Sequence, residues 1–305
     1  MTYSSGTITS ATPASALLAA FDTAILAVAG WSKVTSLLVV GTNTWSVYKS
    51  AAASNSFGSD FYVAFGYVTA TGTILHTTIF EQWNSTTNVA TNFPPNSAQI
   101  PTATTWANPQ AAASLPTTGT TIAYIDTPAF VTTGFSYGIS VTADRIIYWA
   151  LSSTNSVGFY MGLYDPFLPI ASDPFPICLL QLGPNNAVNA VAVSTVPASL
   201  IGLCTREPLQ TVSASTNFGC GATGSSAWTL NSGGSNEIYT VKPLLARVLL
   251  QGRQSGAYRG LLKDCYVTAA QTQSGDTATW TLNSVPYTAS RAGAGSAQAV
   301  YFNQV

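Results

Sequence analysis

Apolar side chains recur along this chain with two different spacings. In residues 13–29, Leu17, Leu18, Phe21, Ile25, Leu26 and Val28 follow one another at mostly three- and four-residue steps, the mark of one buried helix face. Thr12 stands where an N-cap would, Pro13 occupies the first helical position, and Gly30 can close the last turn. The spacing predicts one N-terminal helix.

From Val34 onward the pattern shortens. Residues 36–41, 45–48, 61–68 and 73–80 are runs rich in β-branched and aromatic side chains, separated by Gly, Ser and Asn, and they predict strands. Residues 135–150 read as a hairpin with its turn at 142–145, and 159–164 as a further strand. Asp165-Pro166-Phe167 and Asp173-Pro174-Phe175-Pro176 predict two rigid, turn-prone breaks. Strand patterning resumes at 239–250, 261–269 and 277–282, and a final strand ends near Phe302. Residues 88–120 carry Pro94, Pro95, Pro101, Pro109 and Pro116 among Thr, Ala and Asn without periodicity, as expected of an extended loop that reaches a neighbouring subunit. Residues 211–235 and 292–297 are loops of small and polar residues.

No internal repeat of useful length is present, which disfavours a solenoid or a propeller. The expected fold is mainly β, a β-sandwich or jelly-roll-like arrangement with long loops and one N-terminal helix. Residues 1–32 form an N-terminal arm and helix, 33–205 a main β domain containing the Pro/Thr-rich loop at 88–120, and 206–305 a C-terminal β region that continues that domain or stands beside it.

Composition changes the picture of the surface. Only 7% of the 305 residues are charged and the net charge is -1, against roughly 25% charged in typical soluble domains. The apolar share of 47% and aromatic share of 11% supply a core, so disorder is excluded as a description of the whole. A surface of neutral hydroxyl and amide groups has little ionic hydration to lose when neighbours cover it, and an assembly is therefore expected. Residues 1–205 hold three basic and seven acidic side chains, and 206–305 hold seven basic and four acidic ones. Opposite fields of this kind suit head-to-tail contact between subunits. No run reaches the roughly 18 apolar residues of a membrane helix. The first ten residues lack a basic side chain and Asp22 interrupts the apolar run at 14–28, unlike a secretion signal, so synthesis in a cytoplasm is expected.

Few constellations carry chemistry. The single histidine, His76, lies mid-strand without a Gly-x-Ser-x-Gly elbow elsewhere, which disfavours a Ser-His-Asp triad. Cys178, Cys204, Cys220 and Cys265 lie 26, 16 and 45 positions apart without a Cys-x-x-Cys pair, and read as buried thiols rather than zinc ligands. Asp60 and Glu81, among aromatic-rich strands, are the carboxylates to consider for glycoside cleavage, although Asp60 also suits a turn after Phe57-Gly58-Ser59. Asp165 and Asp173 lack the spacing of a calcium loop, residues 292–297 lack the third glycine of a dinucleotide loop, and no phosphate-binding loop occurs. No cofactor or metal is expected. Arg247, Arg253, Arg259 and Lys263 form the one basic cluster, with Tyr258 and Tyr266 nearby. Asp264 and the near-neutral total favour ion pairing between subunits over nucleic acid, so these four with Asp264 form the candidate interface. Trp45 and Trp83, beside polar residues, are candidate glycan contacts, with ordinary packing as the other reading.

Taken in order, Gly30-Trp31, Val47-Tyr48-Lys49-Ser50, Gly58-Ser59-Asp60-Phe61-Tyr62-Val63, Glu81-Gln82-Trp83-Asn84, Gly162-Leu163-Tyr164-Asp165-Pro166, Tyr258-Arg259-Gly260-Leu261-Leu262-Lys263-Asp264 and Gly275-Asp276-Thr277 resemble a tailed-bacteriophage virion protein. The resemblance implies a place in the particle, in the tail, the baseplate or a capsid-decorating position, with no cofactor and no catalytic residues. The expected role is that of a non-enzymatic virion component, made in the host cytoplasm, whose partners are other copies of itself and other virion proteins. The alternative is a receptor- or glycan-binding tail module. A glycan-degrading enzyme is a third reading, and needs two acids roughly 5 to 10 Å apart across a groove.

Overall fold

A computed structural model of the chain describes residues 1–9, 12–70, 72, 75–93, 113–115, 122, 125–126, 134–151, 156–167, 176–181, 202–204, 220–223, 245–252, 258–268, 279–282, 285–291 and 300–304. In chain order these form β1 (Thr2–Ile8), α1 (Pro13–Leu26), β2 (Trp31–Val40), β3 (Asn43–Ser50), β4 (Phe61–Val68), β5 (Leu75–Phe80), β6 (Gln82–Asn84), β7 (Val89–Thr91), β8 (Ala113–Ser114), β9 (Ile125–Asp126) and β10 (Phe135–Val141). There follow β11 (Arg145–Leu151), β12 (Ser156–Pro166), β13 (Ile177–Gln181), β14 (Gly202–Cys204), β15 (Cys220–Thr223), β16 (Leu245–Gly252), β17 (Tyr258–Thr268), β18 (Thr279–Leu282), β19 (Val285–Arg291) and β20 (Val300–Gln304). The fold is mainly β, built of antiparallel sheets in a sandwich-like arrangement with one described helix.

Pro13 opens the helix as its sequence position predicts, and Leu17, Leu18, Phe21, Ala24 and Ile25 are buried along one face. Thr12 sits at the N-cap without a side-chain capping bond. The free N–H of Ala14 is satisfied instead by Gly72 O at 2.8 Å, a carbonyl brought in from the end of the β4 hairpin. The helix ends at Leu26, three residues short of the expected 29. There the Val28 N–H turns back to Ile25 O, and Gly30 reverses the chain at φ +97°. A Cβ at Gly30 would stand 2.3 Å from Ser54 Cβ, so the turn also depends on close approach to the 51–60 loop.

Three sheets share the strands. The largest runs β1-β10-β11-β12-β13-β14-β15-β16-β17-β20-β19-β18, a sequential meander through most of its width, and β12 also pairs with β17. The second runs β2-β3-β4-β5-β9 and the third β6-β7-β8. Strands drawn from residues 206–305 thus lie in the same sheet as β1 and β10 to β13.

The helix lies between the two larger sheets. Phe21 stacks on Phe65 of β4 at 4.3 Å between ring centroids, and meets Tyr148 of β11 edge-on at 5.2 Å. Around them Leu17, Ile25, Val63, Ile79, Ile139, Ile146, Phe159 and Leu179 complete one core. The opposite face of the five-stranded sheet buries Trp45, Val47, Ala64 and Phe80 with Ala90, Phe93, Leu115 and Ile122, beside the three-stranded sheet. Because both faces are covered, β3 and β5 are buried almost throughout, and their sequences lack the polar alternation of a one-sided strand.

Two expectations change. Within 88–120, Val89–Thr91 and Ala113–Ser114 are strands of the third sheet, because Val89–Thr91 finds a partner in β6 and Ala113–Ser114 in turn pairs with Val89–Ala90; residues 94–112 and 116–121 lie outside the described residues. Asp165-Pro166 does not break the chain: both residues continue β12, facing Leu261 and Gly260 of β17. Pro166 is the last residue of its strand, where a missing N–H removes little from the ladder. Asp173 lies outside the described residues.

Candidate functional site

The densest polar arrangement among the described residues is the turn between β10 and β11. Thr142 N–H donates to Arg145 O at 2.9 Å, and Asp144 N–H to Thr142 Oγ1 at 3.2 Å, which sets the turn. Its three carbonyls are each taken by a different element. Trp31 Nε1 donates to Thr142 O at 2.7 Å, Ser50 Oγ to Ala143 O at 2.6 Å and Leu163 N–H to Asp144 O at 2.8 Å. The last contact requires Gly162, at φ +135°, where a Cβ would lie 2.3 Å from Asp144 O.

Two ion pairs fasten β17 to this turn. Lys263 Nζ lies 2.7 Å from Asp144 Oδ2 and 3.5 Å from Asp165 Oδ1, and it also donates to Ser56 Oγ. Asp144 Oδ1 accepts the Ser56 N–H at 2.7 Å. Beside it the fully buried Arg145 donates through Nε at 3.1 Å and Nη2 at 3.0 Å to Asp264 Oδ2, and through Nη1 to Ser140 O and Oγ. A buried guanidinium is strongly disfavoured without such partners, so Arg145 fixes where Asp264 must stand. Asp264 itself has φ +53°. Tyr160 joins the two strands further, donating to Leu163 O and accepting the Lys263 N–H at 3.1 Å.

Electrostatics act on two members of the cluster, Asp144 and Tyr160, in opposite directions. Burial alone would raise the Asp144 carboxyl, but the Lys263 ammonium and the Ser56 N–H outweigh it and hold the group below the usual carboxylate value. Burial drives the Tyr160 phenol well above its ordinary range, so it stays neutral. Each charge is neutralised by a neighbour of fixed position, which makes this junction a cross-link between β11, β12, β17 and the 51–60 loop.

The residues expected from the sequence are distributed as follows. Lys263 and Asp264 stand in this junction with partners in their own chain. Arg247 lies in β16 opposite Tyr266, and Arg259 near the start of β17; only their backbone positions are described, and Arg253 falls outside the described residues. Trp45, a proposed sugar platform, is fully buried, with Gly66 leaving room for its indole and His76 stacked on it at 5.8 Å. Its faces are covered because the third sheet and its flanking segments close that side of the second sheet. Trp83 is half-buried; its Nε1 donates to Thr35 Oγ1 at 2.8 Å and its ring packs against Phe80.

Comparison of the chain with protein-family models and with curated proteins gave no match.

The two carboxylates considered for glycoside cleavage have separate structural partners. Asp60 accepts the Ala52 N–H at 2.8 Å and pairs with Lys49 at 2.5 Å, closing the 51–60 loop. Glu81 is buried, accepting from Asn92 Nδ2 at 2.8 Å, while its N–H donates to Asn92 O. His76 is buried in β5 opposite Gly66. Asp165 takes the outer position on Lys263. No group of three His, Cys, Asp or Glu side chains among the described residues is placed to hold a metal ion. Sequence reasoning missed Asp144, Arg145, Ser140 and Tyr160. An arginine in an otherwise apolar strand, directly after a turn aspartate, was the available signal.

Proposed function

We propose that this chain is a structural component of a phage virion that acts without catalysis, oligomerises with its own copies and contacts other particle proteins. One observation carries the reading. Every lysine and arginine whose side chain is described, namely Lys33, Lys49, Arg145 and Lys263, pairs with a carboxylate of the same chain. The described lysines and arginines are spent on internal fastening, and the surface that part offers to neighbours includes the exposed apolar side chains of Leu26, Leu37, Val39 and Phe167. Such a surface loses little ionic hydration on contact and suits extensive burial between subunits. The resemblance noted in the sequence supplies the phage setting, and the paired lysines argue against a nucleic-acid partner in this part of the chain.

The test is the solution mass of the purified full chain by light scattering, at several concentrations and at low and high salt. A closed oligomer or a polymer is the expected result. A monomer persisting at high concentration in both salts overturns the reading.

A further inference from the structure

Among the described residues, β1, β18, β2, β9, β6 and β8 stand at sheet edges, and they differ in how far their open side is protected. An edge presents unpaired N–H and C=O groups to any strand that reaches it, and proteins guard such edges with short length, bulges, prolines or charges. Strands β18, β9, β6 and β8 have four residues or fewer. Strand β2 is longer, but it carries Lys33, shifts register twice against β3 and holds Leu37 in the left-handed region at φ +50°. Strand β1 has none of these devices. Its seven residues pair with β10 from Thr2 opposite Val141 to Ile8 opposite Phe135 without a register shift, and neither strand contains a proline or a charged residue. Gly6 marks no bulge, because the Tyr137 ring lies over it and a Cβ there would meet Tyr137 Oη at 3.0 Å. Ser5 and Thr7 are exposed and share one face of the strand with Tyr3.

We propose that β1 docks a second copy of this chain, the two β1 strands pairing antiparallel across a two-fold axis. The inference rests on the reading that the chain associates with its own copies, and it names the surface that does so. A second copy fits because the strand is complementary to itself. Overlap of all seven residues places the axis at Ser5, with Tyr3 opposite Thr7, Thr2 opposite Ile8 and Ser4 opposite Gly6 of the other copy. An aromatic ring then faces a β-branched side chain on one face and two β-branched side chains meet on the other, pairs that stabilise neighbouring strands. No like charges meet, since neither β1 nor the β10 strand behind it carries any. The other edge of the same sheet, β18, offers only four residues, so head-to-tail pairing of β1 with β18 would leave part of β1 open. The homotypic pair satisfies the whole edge and joins two 12-stranded sheets into one.

The test places single cysteines on the exposed side chains of the strand in the full chain, as Ser5→Cys and Thr7→Cys. In the proposed pair two Ser5 positions face each other with Cα atoms about 4.5 or 5.5 Å apart, within the roughly 4.4 to 6.8 Å that a disulfide bridges. Two Thr7 positions lie four residues apart along the strands, roughly 13 Å, beyond that reach. Each variant is mildly oxidised at a concentration where light scattering finds the unmutated chain associated, then alkylated and digested without reduction. Ser5→Cys is expected to give its peptide linked to a second copy of itself and parted by dithiothreitol, and Thr7→Cys none. Ser5→Lys should lower the scattering mass at equal concentration, and mixing it with Ser5→Glu should restore the mass. An unmutated chain that associates while Ser5→Cys forms no such link and Ser5→Lys keeps its mass overturns the proposal and leaves the oligomeric reading standing. Equal linking of Thr7→Cys overturns it as well. An unmutated chain that stays monomeric overturns both.

Discussion

Lys263 Nζ and Asp144 Oδ2 meet at 2.7 Å across 119 positions of sequence, tying the middle of β17 to the turn between β10 and β11. Both side chains are largely withdrawn from solvent, at 16% and 21% exposure, so water screens the pair less than a surface ion pair. Replacing Lys263 with Met leaves Asp144 to the Ser56 N–H and hydroxyl without a cation, and Asp144→Asn leaves the ammonium with Ser56 Oγ and with Asp165 at 3.5 Å. Each change is expected to lower unfolding free energy by about 1 to 3 kcal/mol, the penalty for stranding a partly buried charge. In a double-mutant cycle by urea denaturation the two losses should fall short of additivity by about 1 kcal/mol. Additive losses would show that the residues do not act on each other.

Acid should loosen the same junction. The folded carboxyl of Asp144 titrates below its ordinary value of 3.8, because Lys263 and the Ser56 N–H outweigh the opposing effect of burial. Asp60 is depressed likewise, with Lys49 and the Ala52 N–H overcoming burial. A depressed carboxyl contributes its full stability above the unfolded value and loses it as pH falls through the folded one. The melting temperature is therefore expected to hold above about pH 5 and fall below about pH 4. Asp144→Asn should show a shallower fall on the same pH series.

The alkaline limb follows from buried phenols. Burial and the Asp22 hydrogen bond raise Tyr48 above its ordinary 10.0, and burial raises Tyr148 and Tyr160. A raised folded value gives stability that is whole below the unfolded value and is lost as pH climbs above it. Phenolate absorbance should show these three tyrosines silent at pH 10 to 11 (approximately one unit above the unfolded value) and then ionising together as the chain unfolds. Gradual titration of all tyrosines around pH 10, with the fold intact, would contradict the burial.

Gly162 and Gly58 separate steric approach from backbone strain. Both have positive φ, but a Cβ at 162 meets Asp144 O at 2.3 Å, whereas one at 58 meets nothing within 4 Å. Gly58→Ala is expected to cost about 1 to 2 kcal/mol for the left-handed conformation alone. Gly162→Ala adds a backbone clash that the turn cannot relieve without giving up the Leu163 to Asp144 bond, and at least about 3 kcal/mol should be lost. Equal losses in chemical denaturation would mean that the Asp144 carbonyl moves aside freely.

What the sequence made legible was local. The run at 61–68 is bounded by Ser- and Gly-rich turns and is dense in Phe, Tyr and Val, and β4 occupies those residues. The hairpin turn expected at 142–145 lies between β10 and β11. Strand β1 went unread because Thr2–Ile8 is rich in Ser and Thr, and its strand character comes from pairing with β10, more than a hundred residues away. Strand β13 was hidden behind the prolines that precede it, and Val285–Arg291 behind its own Pro, Thr and Ser. The junction was illegible for the same reason. Lys263 and Asp264 were singled out by charge, but their partners come from a turn whose nearness only the sheet topology determines.

Phe21 offers the sharpest test of how the helix is seated. Its ring is fully buried between Phe65 of β4 and Tyr148 of β11, which belong to different sheets. Removing it takes away the ring contacts to both sheets at once and leaves a cavity between layers that the surrounding strands, fixed by their ladders, cannot close. Phe21→Ala should therefore cost about 3 to 5 kcal/mol, while Phe21→Leu should retain most of the stability. The Asp22 carboxylate next to it binds Lys33 at 2.7 Å and accepts from Tyr48, so the helix keeps one polar tie to the second sheet in either variant. Hydrogen exchange should consequently rise more on the β10–β11 side than at β3 in Phe21→Ala. Uniform loss of protection on both sides would mean that the helix is held by its apolar face alone.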